Sequence, residues 1–100
     1  SKHIDFFMLV GSLDFLRKEV KDWWKKLPTK YSSADEVAMA VFSIENADWS
    51  DDKETTEAMD VVHECFLQLP PDAEGKWGIY PDETLLPHQF RLRVFTKCKR

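Results

Sequence analysis

Between Leu13 and Leu27 the apolar residues Leu13, Leu16, Val20, Trp23 and Leu27 recur at intervals of three and four, while Arg17, Lys18, Lys21, Asp22, Lys25 and Lys26 fall between them. That period dictates an amphipathic helix, and a helix with a single apolar stripe must bury it against another layer. Ser12 is placed to cap its start and Pro28 to stop it. A second stripe of the same kind, Ala58, Val61, Val62, Cys65, Phe66 and Leu69, follows Ser50 as a candidate cap and ends at Pro70 and Pro71. Asp51, Asp52 and Glu54 in its first turn suit the positive end of a helix dipole. Two one-sided helices need a flat apolar partner.

Four segments supply it. In residues 3 to 10, Ile4, Phe6, Met8 and Val10 share one face and Phe7 and Leu9 join His3 and Asp5 on the other, which predicts a strand half or fully buried, ended by Gly11. Val37 to Ile44 is uncharged and rich in small and β-branched residues, as a central strand covered on both faces would be. Lys76 to Tyr80 reads as a short strand between Gly75 and Pro81. Phe90, Leu92, Val94, Thr96 and Cys98 alternate with Arg91, Arg93, Phe95, Lys97 and Lys99, the pattern of a strand with one solvated face. Thr29 to Glu36 and Asp82 to Gln89 read as loops.

The order is β-α-β-α-β-β. If the strands joined through helices are parallel, right-handed crossovers place both helices on one face of the sheet. The expected fold is α+β (or small α/β): a two-layer sandwich of about four strands and two helices. A ferredoxin-like arrangement is the alternative, reached by a further strand near Tyr31 or another pairing of the last two strands.

With 100 residues, four Trp and seven Phe, the chain has enough apolar material for one core and is expected to be a single domain spanning 1-100 with a radius of gyration of about 13 Å. Apolar runs are strand-sized, well below the roughly 20 residues of a membrane span, and residues 1 to 10 lack the pattern of a signal peptide. Cys65 and Cys98 can form neither a disulfide framework nor a four-thiolate zinc site. These features favour a cytoplasmic protein without membrane contact. With glycine only at Gly11, Gly75 and Gly78 the chain has no phosphate-cradling loop and no nucleophile elbow, so no cofactor is expected. His63, Glu64 and Cys65 are successive on a helix, about 100° apart, and cannot converge on a metal. Asp60 and His63 can meet as a solvated pair, and Cys65 belongs to the buried stripe.

Charge is distributed unevenly. Against a net of −4 for the chain, residues 45 to 60 carry Glu45, Asp48, Asp51, Asp52, Glu54, Glu57 and Asp60 with Lys53, a local net of −6. Residues 88 to 100 carry Arg91, Arg93, Lys97, Lys99 and Arg100 with no acid, a local net of +5. The first expectation is a small binding, inhibitory or regulatory module that meets another protein, with basic proteins as candidate partners, through Asp48, Asp51, Asp52, Glu54 and Glu57 with Trp49 as its aromatic anchor. The alternative is RNA or single-stranded DNA bound by Arg91, Arg93, Phe95 and Lys97, which share one strand face. A third reading is a small hydrolase using the 82-88 loop, where Asp82 or Glu83 would orient His88 as a general base beyond the carboxyl end of a strand.

Glu19-Val20-Lys21-Asp22, Val37 to Glu45, Tyr80-Pro81 and Phe95 to Lys99 follow an order similar to that in the editing domain of archaeal threonyl-tRNA synthetases. That family carries Ala-His-Leu after Tyr-Pro, whereas Asp82-Glu83-Thr84 stands here and His88 is displaced. No functional residue is carried over from it.

Overall fold

Ser12 turns the first strand into the first helix. Its side chain accepts a hydrogen bond from the Phe15 amide at 3.1 Å, satisfying one of the donors a helix start leaves open. The computed structural model describes residues 4–28 and 33–99. In chain order it contains β1 (Ile4–Gly11), α1 (Leu13–Glu19), β2 (Val37–Asn46), α2 (Asp52–Leu67), β3 (Glu74–Pro81) and β4 (Phe90–Cys98), with 3-10 turns at Trp23–Lys26 and Ala34–Glu36. The proposed strand near Tyr31 lies outside the described residues.

The strands form one sheet in the order β1-β4-β2-β3. β4 is antiparallel to both β1 and β2, and β2 is parallel to β3. β1, β2 and β3 therefore run the same way, and each helix crosses between parallel strands. The fold is the expected α+β sandwich. β4, last in sequence, takes an interior place: its inward residues Phe90, Leu92, Val94, Thr96 and Cys98 are all buried.

The predicted first helix is shorter than its stripe. α1 caps at Val20, and Asp22 then adopts a left-handed φ of 51°, a conformation Asp tolerates better than most residues. The chain resumes as a 3-10 turn, so Trp23 and Leu27 still reach the core. Trp23 stands edge-on to Phe42 at 5.3 Å and donates its indole N–H to the Cys65 carbonyl at 3.0 Å. Gln68 donates to the carbonyls of Val20 and Glu64 at 2.8 and 3.0 Å. The two helices are thus joined by hydrogen bonds as well as by apolar contact. Asp51, not Ser50, caps α2, accepting from the Glu54 amide at 3.1 Å.

Burial corrects two expectations. Ile4, Phe6, Met8 and Val10 are 38% to 68% exposed, although they form the apolar face predicted for β1. Likewise β2 is covered on one side, with Phe42 and Ile44 buried and Val41 and Ser43 only half-buried. Both helices lie on the inner side of the sheet, and no described element covers the outer side.

Candidate functional site

Three surfaces carry the candidate residues. The first forms where β2 ends and α2 begins. Asn46, buried at the end of β2, donates to the Gln89 carbonyl at 2.9 Å and accepts from the Asp48 amide at 3.1 Å. Asp48 accepts from the Ser50 amide at 2.9 Å, which holds its carboxyl below the ordinary range. The 82-88 loop folds onto this turn: His88, at a left-handed φ of 62°, places Nδ1 2.7 Å from Oε2 of Glu54. That contact raises the imidazole pKa, chiefly through the hydrogen bond to Glu54 and then through its charge. A hollow of about 250 Å³ lies between turn and loop.

The acidic segment and the loop, separate in sequence, are therefore one site, and most of its carboxylates already have structural duties. Asp48 closes a turn, Asp51 caps a helix and Glu54 holds His88. Trp49, expected as the aromatic anchor, has structural partners of its own. Its indole N–H donates to the Tyr80 carbonyl at 2.8 Å and its ring packs against Phe90 at 5.8 Å, so the side chain closes the end of the core. Asp52 and Glu57 have no cationic partner among the described residues.

The orienting carboxylate for His88 is Glu54, not Asp82 or Glu83. Asp82 accepts from Thr84 Oγ1 at 2.6 Å and from Arg91 at 2.7 Å, and Thr84 and Arg91 together hold its carboxyl down at about 2. Ser12 and His88 line a second hollow, of about 140 Å³. The Ser12 hydroxyl, however, is the α1 cap, and among the described residues no hydroxyl hydrogen-bonds to the imidazole.

The second surface is the basic strand. Arg91 lies 2.7 Å from Asp82 and 3.5 Å from Glu45, and Arg93 Nε lies 2.9 Å from Glu45 Oε1 in ion-pair rather than hydrogen-bond geometry. Arg91 and Arg93 are thus offset by Glu45 and Asp82, and Lys99 pairs with Asp72 at 2.8 Å. Lys97 has no acidic partner among the described residues. Phe95 packs on Phe6, with ring centroids 4.7 Å apart.

That pair belongs to the third surface, the outer face of the sheet. Ile4, Phe6, Met8 and Val10 line it from β1, and Phe95, 42% exposed, joins them from β4. In the register Phe6 stands opposite Phe95 while Met8 stands opposite Arg93, so the apolar stripe follows β1 and crosses to β4 at the Phe6–Phe95 pair. Exposed apolar residues contiguous in this way are uncommon on a monomeric surface and mark contact sites.

No protein-family model and no curated protein sequence matches the chain. Among solved structures, a structure of an empty FtsZ dimer from M. jannaschii matches with a TM-score of 0.67 and 21% identity over 94% of this chain. A Trp-to-Tyr mutant of FtsZ from the same organism matches with a TM-score of 0.54 and 17% identity over 95% of this chain. The likeness is one of fold. This chain spans 26% and 27% of those FtsZ chains, so the shared unit is about a quarter of the larger protein.

The remaining sequence candidates resolve simply. Cys65 is buried and its thiol is pushed up to about 12 by burial, an inert core group. Cys98 is buried at the end of β4. His63 and Asp60 are both exposed on α2. Among the described residues no group of three metal-ligating side chains converges, and no helix is long and apolar enough to cross a membrane. The sheet face was the surface that the charge pattern did not reveal. The signal for it lay in the helix count: two helices on one side leave a four-stranded sheet with an open side, and the alternation in β1 names its residues.

Proposed function

We propose that this domain works by protein–protein contact and that its contact surface is the open sheet face, meeting the same face of a second copy. The observation that carries the reading is the exposed stripe Ile4, Phe6, Met8, Val10 and Phe95. Charge permits a like partner: Arg91 and Arg93 are offset by Glu45 and Asp82, which leaves Lys97 as the uncompensated cation among the described residues of this face. A two-fold contact is the commonest way for like copies to associate. One of the similar FtsZ structures is itself described as a dimer.

Magnitudes set the expected strength. Covering these partly exposed side chains contributes about 1 kcal/mol each, so about 10 kcal/mol over two copies. Association costs about 4 to 15 kcal/mol in lost freedom. The balance predicts a weak, reversible dimer. In an isotope-labelled sample, amide signals of β1 and β4 should move as protein concentration rises while those of α2 stay in place. Concentration-independent signals in β1 and β4 would reject the dimer.

A second reading keeps the acidic surface, favoured by Asp52 and Glu57, which lack cationic partners among the described residues. It predicts that a basic partner protein is lost when Asp52 and Glu57 are both changed to Lys.

A further inference from the structure

A hollow of about 340 Å³ opens between α2 and β3, lined by Met59, Val62, His63, Phe66 and Trp77. It lies on the helix side of the sheet and is separate from the face described above. Its walls are mainly apolar, with His63 as the polar member, and its volume is at the small end of ligand pockets, enough for one large side chain. Trp77 at its edge is 47% exposed, an unusual position for an indole on the inward face of a strand. β3 pairs with β2 on one side and with no other described strand. Its free edge runs past Trp77, the β3 residue that lines the hollow.

A groove between a helix and a free strand edge is the arrangement in which an extended peptide adds as a further strand and sends one side chain of each pair inward. An added strand would run about 4.8 Å from β3, placing an inward side chain beside Trp77 and over Met59 and Phe66. Met and aromatic walls adapt to aliphatic or aromatic anchors. The rim chooses the flanks. Asp60 is exposed one turn before His63, whereas Glu74 and Lys76 lie on the opposite face of β3 and offset each other at 3.5 Å. Asp60 at the rim favours a cationic neighbour for the anchor.

We propose that the β3 edge and this hollow form a docking groove for an extended peptide segment with one large apolar side chain flanked by basic residues.

The test is a titration of the isotope-labelled protein with the capped peptide Arg-Val-Leu-Val-Arg, followed by amide shifts and hydrogen exchange. Shifts confined to Gly75–Ile79 and to the Met59 to Phe66 stretch, with slower exchange in β3, are expected. Trp77→Ala should weaken binding at least tenfold, and Met59→Arg, at a half-buried position, should do the same in a second fold-neutral background. The peptide with glutamates in place of its arginines should bind at least fivefold more weakly. Absence of shifts at millimolar peptide, shifts centred elsewhere, or equal binding by a peptide N-methylated on alternate amides would each overturn the proposal.

Discussion

The rings of Phe6 and Phe95 face each other across β1 and β4 with centroids 4.7 Å apart and planes inclined by 37°, on the side of the sheet that no described helix covers. Each ring is about 40% exposed. A tilted aromatic pair contributes about 0.5 to 1.5 kcal/mol beyond burial, so Phe95→Lys should cost no more than about 2 kcal/mol in a urea unfolding curve. The same change should sharply reduce fluorescence enhancement of a surface apolar dye. A cost above 4 kcal/mol would mean that the face belongs to the core.

Trp23 behaves in the opposite way. It is fully buried, and its N–H satisfies the Cys65 carbonyl. Trp23→Phe removes ring volume and one of the two hydrogen bonds to the Cys65 carbonyl, which keeps the Gln68 amide at 3.3 Å, so a loss of about 1 to 3 kcal/mol is expected from equilibrium unfolding.

Two glycines separate packing from flexibility. A Cβ on Gly75 would stand 2.4 Å from Phe66 Cε1 and 3.0 Å from Leu69 Cδ1, both packed against the core. On Gly11 it would meet Cδ2 of Phe15 at 2.6 Å, a ring that is 43% exposed and can turn aside. Gly75→Ala should therefore cost about 1 to 3 kcal/mol and Gly11→Ala clearly less. Equal losses in thermal unfolding would contradict this account of the two sites.

Acid and base titrate the 82-88 loop from opposite sides. The His88 pKa is raised by Glu54, so its contribution to folding is fully present below the ordinary imidazole value of 6.5 and is lost as pH rises through the elevated folded value. Asp82 is lowered from 3.8 to about 2, so its contribution is present above 3.8 and is lost as pH falls toward 2. Imidazole shifts followed by NMR should show the His88 midpoint fall on Glu54→Gln and stay unchanged on Glu83→Gln.

The sequence makes the fold legible because two helical stripes, two prolyl stops and four strand-like segments admit few arrangements. The stripe Leu13 to Leu27 named its buried residues correctly even though the helix breaks at Asp22, because the 3-10 turn keeps Trp23 on the inner side. The candidate sites were less legible. Arg91 and Arg93 form a basic run in sequence and an ion-pair network in space, since Glu45 is brought beside them by the β2–β4 register. Trp49 sits in a polar turn, and the β3 carbonyl of Tyr80 that binds it is 31 residues away. Alternation in β1 showed which residues share a face but not which face the helices would cover.

Sedimentation velocity of the purified domain across a wide concentration range, beside the Phe6→Lys/Phe95→Lys variant, tests the sheet-face contact most directly. The account predicts a reversible monomer–dimer shift for the unaltered chain and a monomer at every concentration for the variant. A monomeric unaltered chain at millimolar concentration, or a dimer that persists in the folded variant, would contradict it.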